Sequence, residues 1–167
     1  MEYLVVLGVF IILGILIYLS NKKYKKPKLD YIIDKDYISE PSDLTLFESK
    51  LRTLIDIHRL NINQDQIPHT DKVARELAEE HCRYMREKGI ASHDNFLDRS
   101  NKIKSIGALF CGEIVAFGFT TAQSIFNGYL KSPPHRKMIE TSGVTHVGIR
   151  ALTDRKGRFY NTIIFYK

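Results

Sequence analysis

The chain is 167 residues long, 44% hydrophobic and carries a formal charge of +6, which allows one domain with its own core plus a short appendage. Lys22, Lys23, Lys25, Lys26 and Lys28 account for most of that charge, and from residue 29 onward 20 basic residues face 18 acidic ones. A remainder this close to neutral, with no basic face in its pattern, lacks the electrostatic footprint of a DNA or RNA binder.

Residues 3–19, YLVVLGVFIILGILIYL, are uncharged and apolar throughout, about the length needed to cross a hydrocarbon layer. The stretch starts after Glu2 and ends in lysines, not in a small-residue cleavage site, so it is expected to be retained. Residues 1–20 then form a single transmembrane helix, 21–41 a basic juxtamembrane linker and 42–167 the folded domain. The cluster at 22–28 suits anionic lipid, and the positive-inside preference puts the domain on the cytoplasmic face.

Two helices open the domain. SDLTLFESKLRTLIDIHRLNI has a cap candidate in Ser42 and places Leu44, Phe47, Leu51, Leu54, Ile55 and His58 at helical spacing. HTDKVARELAEEHCRYMREKG can be capped by Thr70 or Asp71, carries an apolar stripe through Val73, Leu77, Ala78, His81, Tyr84 and Met85, and ends suitably at Gly89. A loop, IASHDNFLDRSN, and a short helix, KIKSIG, lead to a strand at CGEIVAFG, residues 111–118. TTAQSIFNGYLKS and SPPHRKMIE read as helices, the second started by Ser132 and its prolines. THVGIRALT and RFYNTIIFYK alternate as the arms of a β-hairpin joined by DRKG. Helices first and strands late make an α+β layered domain. Cys82 and Cys111 are too few for a disulfide framework, lack metal-type spacing and read as separate buried thiols.

Glu113 stands inside an otherwise apolar, glycine-bounded strand. An ionised carboxylate in such a place needs a partner or must neutralise itself. Among the six histidines, His58 and His81 sit on apolar helix stripes and read as satisfied core or boundary residues, while His69 and His146 read as exposed. His93, in a loop after a helix, and His135, behind the rigid Ser-Pro-Pro entry to a helix turn, are the candidates. Two imidazoles and a carboxylate are a sufficient set for zinc, with water completing the tetrahedron, although their spacing carries no local motif.

These segments together resemble the CAP superfamily, also called the SCP or PR-1-like domain, in its short prokaryotic form. The resemblance rests on HRLN at 58–61, VARELAEEHCRYM at 73–85, SH at 92–93, GEIVAFG at 112–118, YLKSPPHR at 129–136, VGIR at 147–150 and FYNTIIFY at 159–166, in that order. It implies a three-layer α-β-α sandwich with an open cleft in which His93, Glu113 and His135 are the metal-type groups, supported by Tyr129 and Ser132. Ser132 takes the place of a second glutamate found in many animal and plant members, and Tyr129 that of a tryptophan. Ile114 replaces the asparagine that follows the glutamate, and Ile163 a glutamine of the last strand. The arginine expected before the loop glycine falls on Lys102, unless Arg99 substitutes from a shifted position.

The resemblance implies a binding module for a divalent metal ion such as zinc, for a small apolar or lipid ligand, or for both. The alternative is a peptidase-like hydrolase that uses a metal-bound water, or a histidine base with Glu113 as general acid at a raised pKa. Ser92 and Ser132 adjoin the histidines but carry no sign of being nucleophiles. The missing amide and second glutamate favour binding, and a purely structural reading leaves the triad as a polar brace. Relatives are mostly secreted or surface proteins, against the orientation set by the lysines.

Overall fold

A computed structural model describes residues 46–167. The membrane span expected at 3–19, the basic cluster and the linker lie outside the described residues, as does the expected cap Ser42. No helix among the described residues is long and apolar enough to cross a membrane.

The elements follow the hydrophobic pattern closely. Helix α1 spans Leu46–Asn61 and turns Leu51 and Ile55 into the core. A two-residue strand, β1 at His69–Thr70, precedes α2 at Lys72–Lys88. Asp71 caps α2 by accepting from Ala74 N, and Gly89 ends it at φ 74°, a left-handed position that glycine occupies without penalty. Helix α3 spans Phe96–Ser105, β2 Cys111–Phe119, α4 Ala122–Lys131 and α5 Pro133–Ile139; β3, His146–Thr153, and β4, Phe159–Tyr166, form the expected hairpin.

One correction concerns α3. The sequence suggests a loop through 90–101 with a short helix after it, whereas the helix starts at Phe96. Its inward face is Arg99, Ser100 and Ile103, so two of its three buried positions are polar and the amphipathic stripe disappears from the pattern. The cysteines are both free, Cys82 buried and Cys111 half-buried.

The sheet order is β1-β3-β4-β2, with β1 parallel to β3 and the other pairs antiparallel. Strand alternation sorts the side chains into two layers. Ile114 and Ala116 of β2, Val147 and Ile149 of β3, and Ile163 and Phe165 of β4 pack with α1, α4 and α5. On the opposite face Ile164 and Tyr166 meet Ala74, Leu77, Ala78 and Ile103 from α2 and α3, while Val115 and Tyr160 meet Cys82 and Met85. Glu113, in step with Val115, therefore belongs to the α2–α3 face. Gly148 lets α2 lie directly on β3: a Cβ there would collide with the backbone of Ala74 and Arg75.

Candidate functional site

Glu113 is 8% exposed, and its partners come from three segments. Arg99, on the inward face of α3, donates from Nε to Oε2 at 2.7 Å and from Nη2 to Oε1 at 2.8 Å. The fork geometry matches the carboxylate plane and makes this the strongest contact of the site. His93 lies 2.9 Å from Oε1 through Nδ1. An ionised carboxylate only accepts, so Nδ1 carries the proton and Nε2 is left free of this bond. His81 stands behind, its Nε2 4.0 Å from the same oxygen.

These contacts settle the charge. Burial pushes the Glu113 carboxyl up, but the hydrogen bond from His93 and the hydrogen bonds and charge of Arg99 outweigh it and hold the group below its ordinary value. Glu113 is thus an ionised, fully engaged carboxylate at neutral pH.

Arg99 answers the question left open by the spacing. It also donates from Nη1 to Asp94 O at 2.8 Å, which fastens the loop before α3 to the ion pair. Lys102 instead faces outward, 3.8 Å from Glu80, and takes no part. His81 is buried and donates from Nε2 to Ser92 O at 2.7 Å, since a carbonyl can only accept. It ties α2 to the residue preceding His93. Burial is the main reason its pKa is lowered, so it stays neutral.

His135 comes from α5. Its ring meets the Tyr129 ring edge to face at 5.3 Å, and the His93 ring at 6.4 Å between centres. Burial, then the nearby His93, lowers its pKa and favours neutral imidazole. Tyr129 is fully buried, and its hydroxyl donates to Asn161 Oδ1 at 2.6 Å, while Asn161 Nδ2 donates to Arg150 O at 2.6 Å. Asn161 sits at a buried strand position where the pattern predicts an apolar residue. It supplies the hydrogen bond that a buried phenol requires. Ser132 joins α4 to α5 as the C-cap of one and the N-cap of the other, without a side-chain cap bond.

The structure therefore brings His93 against Glu113 directly, and His135 against His93 and Tyr129. Ile114 and Ile163, the departures from the resembled pattern, are both core residues. A depression of about 290 Å³ bordered by Glu80, Tyr84, Asn95 and Lys102 opens onto the helix side of His81 and Arg99. A larger one, about 510 Å³, runs along the outside of α5 past Pro133, Arg136 and Glu140 and contains none of the site side chains. Among the described residues no group of three or more His, Cys, Asp or Glu side chains is gathered as a metal cage.

This arrangement can be set beside known proteins. The sequence profile of CAP, the cysteine-rich secretory protein family, matches residues 35–166. The chain belongs to the CAP family. An outer surface protein from Borrelia burgdorferi has a similar fold, with a TM-score of 0.67 at 20% identity over 75% of this chain and 95% of that one. An extracellular SCP-domain protein from Bacillus anthracis str. Ames gives 0.62 at 23% identity over 76% of this chain and 45% of its own. Schistosoma mansoni venom allergen-like protein 4 gives 0.58 at 10% identity, over 74% and 89%. This CAP chain spans less than half of the B. anthracis protein. A comparison with curated protein sequences gives no match.

Proposed function

We propose that this CAP domain is a binding module whose cleft takes a divalent metal ion through His93 and His135, with Glu113 acting from behind His93. The observation that carries the reading is the hydrogen bond from His93 Nδ1 to Glu113 Oε1. It fixes the tautomer in which Nε2 has a free lone pair, the same carboxylate–histidine arrangement that orients metal-ligating imidazoles generally. His135, held against Tyr129 and kept neutral, supplies the second donor.

The fit can be judged from distance. A zinc–nitrogen bond is about 2.0–2.1 Å, which puts two imidazole centres sharing an ion roughly 4.5–5.5 Å apart at bond angles between about 90° and 120°. The observed 6.4 Å is about an ångström wider. His93, with 48% of its side chain exposed, has room to swing inward. Water completes the coordination sphere, and a bound ion there polarises whatever small ligand enters the cleft.

Two further features weigh between alternatives. The hydrolase reading asks Glu113 to be a general acid with a raised pKa, and the bidentate Arg99 works against that. The family, together with an outer surface protein and an extracellular protein among the similar structures, favours outward display on a membrane anchor at 3–19 over the cytoplasmic orientation. Protease accessibility of the domain in intact cells tests that orientation.

Calorimetric titration of the full-length chain with zinc tests the site. His93→Ala and His135→Ala are each expected to lose one equivalent of binding. Retention of every equivalent by both variants sinks the reading.

A further inference from the structure

A second pair of histidines lies far from Glu113 in the sheet, at its opposite edge. His69 of β1 and His146 of β3 are direct partners across the parallel bridge, and their ring centres are 4.9 Å apart with 35° between planes. Backbone bonds on either side, His69 N to Thr145 O at 3.0 Å and Asp71 N to Val147 O at 2.9 Å, fix the pair in register.

The spacing is compatible with two imidazoles sharing one ion. With metal–nitrogen bonds of about 2.0–2.1 Å, ring centres 4.9 Å apart correspond to a bond angle of roughly 100°. The cleft pair is wider by more than an ångström. His146 is also oriented from behind: Nδ1 lies 2.8 Å from Thr145 Oγ1, and its ring stacks on Tyr166 at 4.5 Å and 8°. A hydroxyl can accept from Nδ1–H, which leaves the lone pair on Nε2. His69 is exposed and has room to rotate. Asp71 adds a negative charge beside the pair while its Oδ1 stays committed to Ala74 N, so it favours a cation there without being a ligand.

We propose that His69 and His146 form a second, two-histidine site for a borderline divalent transition-metal ion, Cu²⁺, Ni²⁺ or Zn²⁺, with water completing the coordination. Imidazole nitrogen selects these ions over Mg²⁺ and Ca²⁺, and Cu²⁺ stands highest in the series. The ion would clip the two-residue β1 onto β3 and stabilise the native state by mass action.

The full-length chain carrying His93→Gln and His135→Gln is titrated calorimetrically with Cu²⁺, alongside the same chain with His69→Gln or His146→Gln added, and Mg²⁺ serves as the control ion. The double variant is expected to retain one Cu²⁺ equivalent, with two nitrogen ligands in the electron paramagnetic resonance spectrum. His69→Gln is expected to weaken it roughly tenfold or more. Because His69 is exposed, that substitution tests the site without threatening the fold. A double variant that binds no Cu²⁺, or affinity unchanged by His69→Gln, overturns the proposal. Neither result bears on the cleft, whose histidines are absent from every protein compared.

Discussion

Arg99 and Glu113 are joined by two parallel hydrogen bonds, 2.7 and 2.8 Å long, between side chains that are 8% and 1% exposed. The pair explains how an ionised carboxylate survives in an apolar strand. Removing one partner strands the other charge, at a cost of about 3–5 kcal/mol for buried pairs. Arg99→Leu is therefore expected to destabilise the domain by about that amount in urea unfolding. Arg99→Leu with Glu113→Leu should cost clearly less than the sum of the single changes; simple additivity would mean that the two groups do not depend on each other.

Acid should weaken the domain in two stages. His81 has a folded pKa below its ordinary 6.5, because of burial first, so between those values the unfolded chain binds more protons than the folded one. Its stability contribution is complete above 6.5 and is lost as pH falls below it, and His135 and His146 act in the same direction. The groups facing His81 are Glu113, which opposes the shift, and Arg99 and His93, which add to it. Glu113 is depressed below 4.5, so its contribution is present above that value and disappears as pH falls through the lower folded pKa. Unfolding free energy measured from about pH 8 to about pH 3 on metal-free protein should show both steps. His81→Gln should reduce the first step, to which His135 and His146 still contribute, while the second remains.

Gly148 is expected to tolerate no side chain. The collision at Ala74 and Arg75 is with backbone, which cannot rotate away. Gly148→Ala should cost about 1–3 kcal/mol or more through overpacking, visible as a lowered melting temperature. Gly157→Ala provides the contrast, with open space around its Cβ but a φ of 74°, so its cost is local strain alone.

Arg59 offers a way to disturb His135 without touching it. It is 1% exposed and donates to Asp65 O at 2.7 Å, Ile139 O at 2.7 Å and Thr141 O at 2.9 Å, binding the end of α5 to α1. Arg59→Met leaves three carbonyls short of a donor. It is expected to cost about 2–4 kcal/mol, given roughly 1–3 kcal/mol for each buried polar group left unsatisfied and partial rescue by water. Zinc affinity at the cleft should fall in the same variant, whereas binding at His69 and His146 should not change.

Most of the fold is legible in the sequence because its elements bury apolar faces at regular spacing. The cap Asp71, the stop at Gly89 and the alternation of β3 and β4 all follow from local rules. What escapes is polar and non-local. Arg99 lies in an expected loop and is named only as a shifted alternative to Lys102; its pairing shows once β2 brings Glu113 against it from fourteen positions away. Asn161 looks like a break in the β4 pattern until Tyr129 is seen above it. Strand β1 is two residues long and shows no alternation, so the His69–His146 bridge has no signal in sequence. His93 and His135 stand out as candidates because nothing in their local pattern requires a histidine, and that says nothing about which partner each one finds.

The strand order also sets a schedule. Strand β2, which carries Glu113, pairs within the sheet only with β4, the last described element to leave the ribosome. Until β4 emerges, β2 lacks its ladder and presents unpaired amides together with an acidic side chain, while α3 and its arginine are already made. During synthesis, then, both halves of the Arg99–Glu113 pair are made before the strand that closes the sheet beside them.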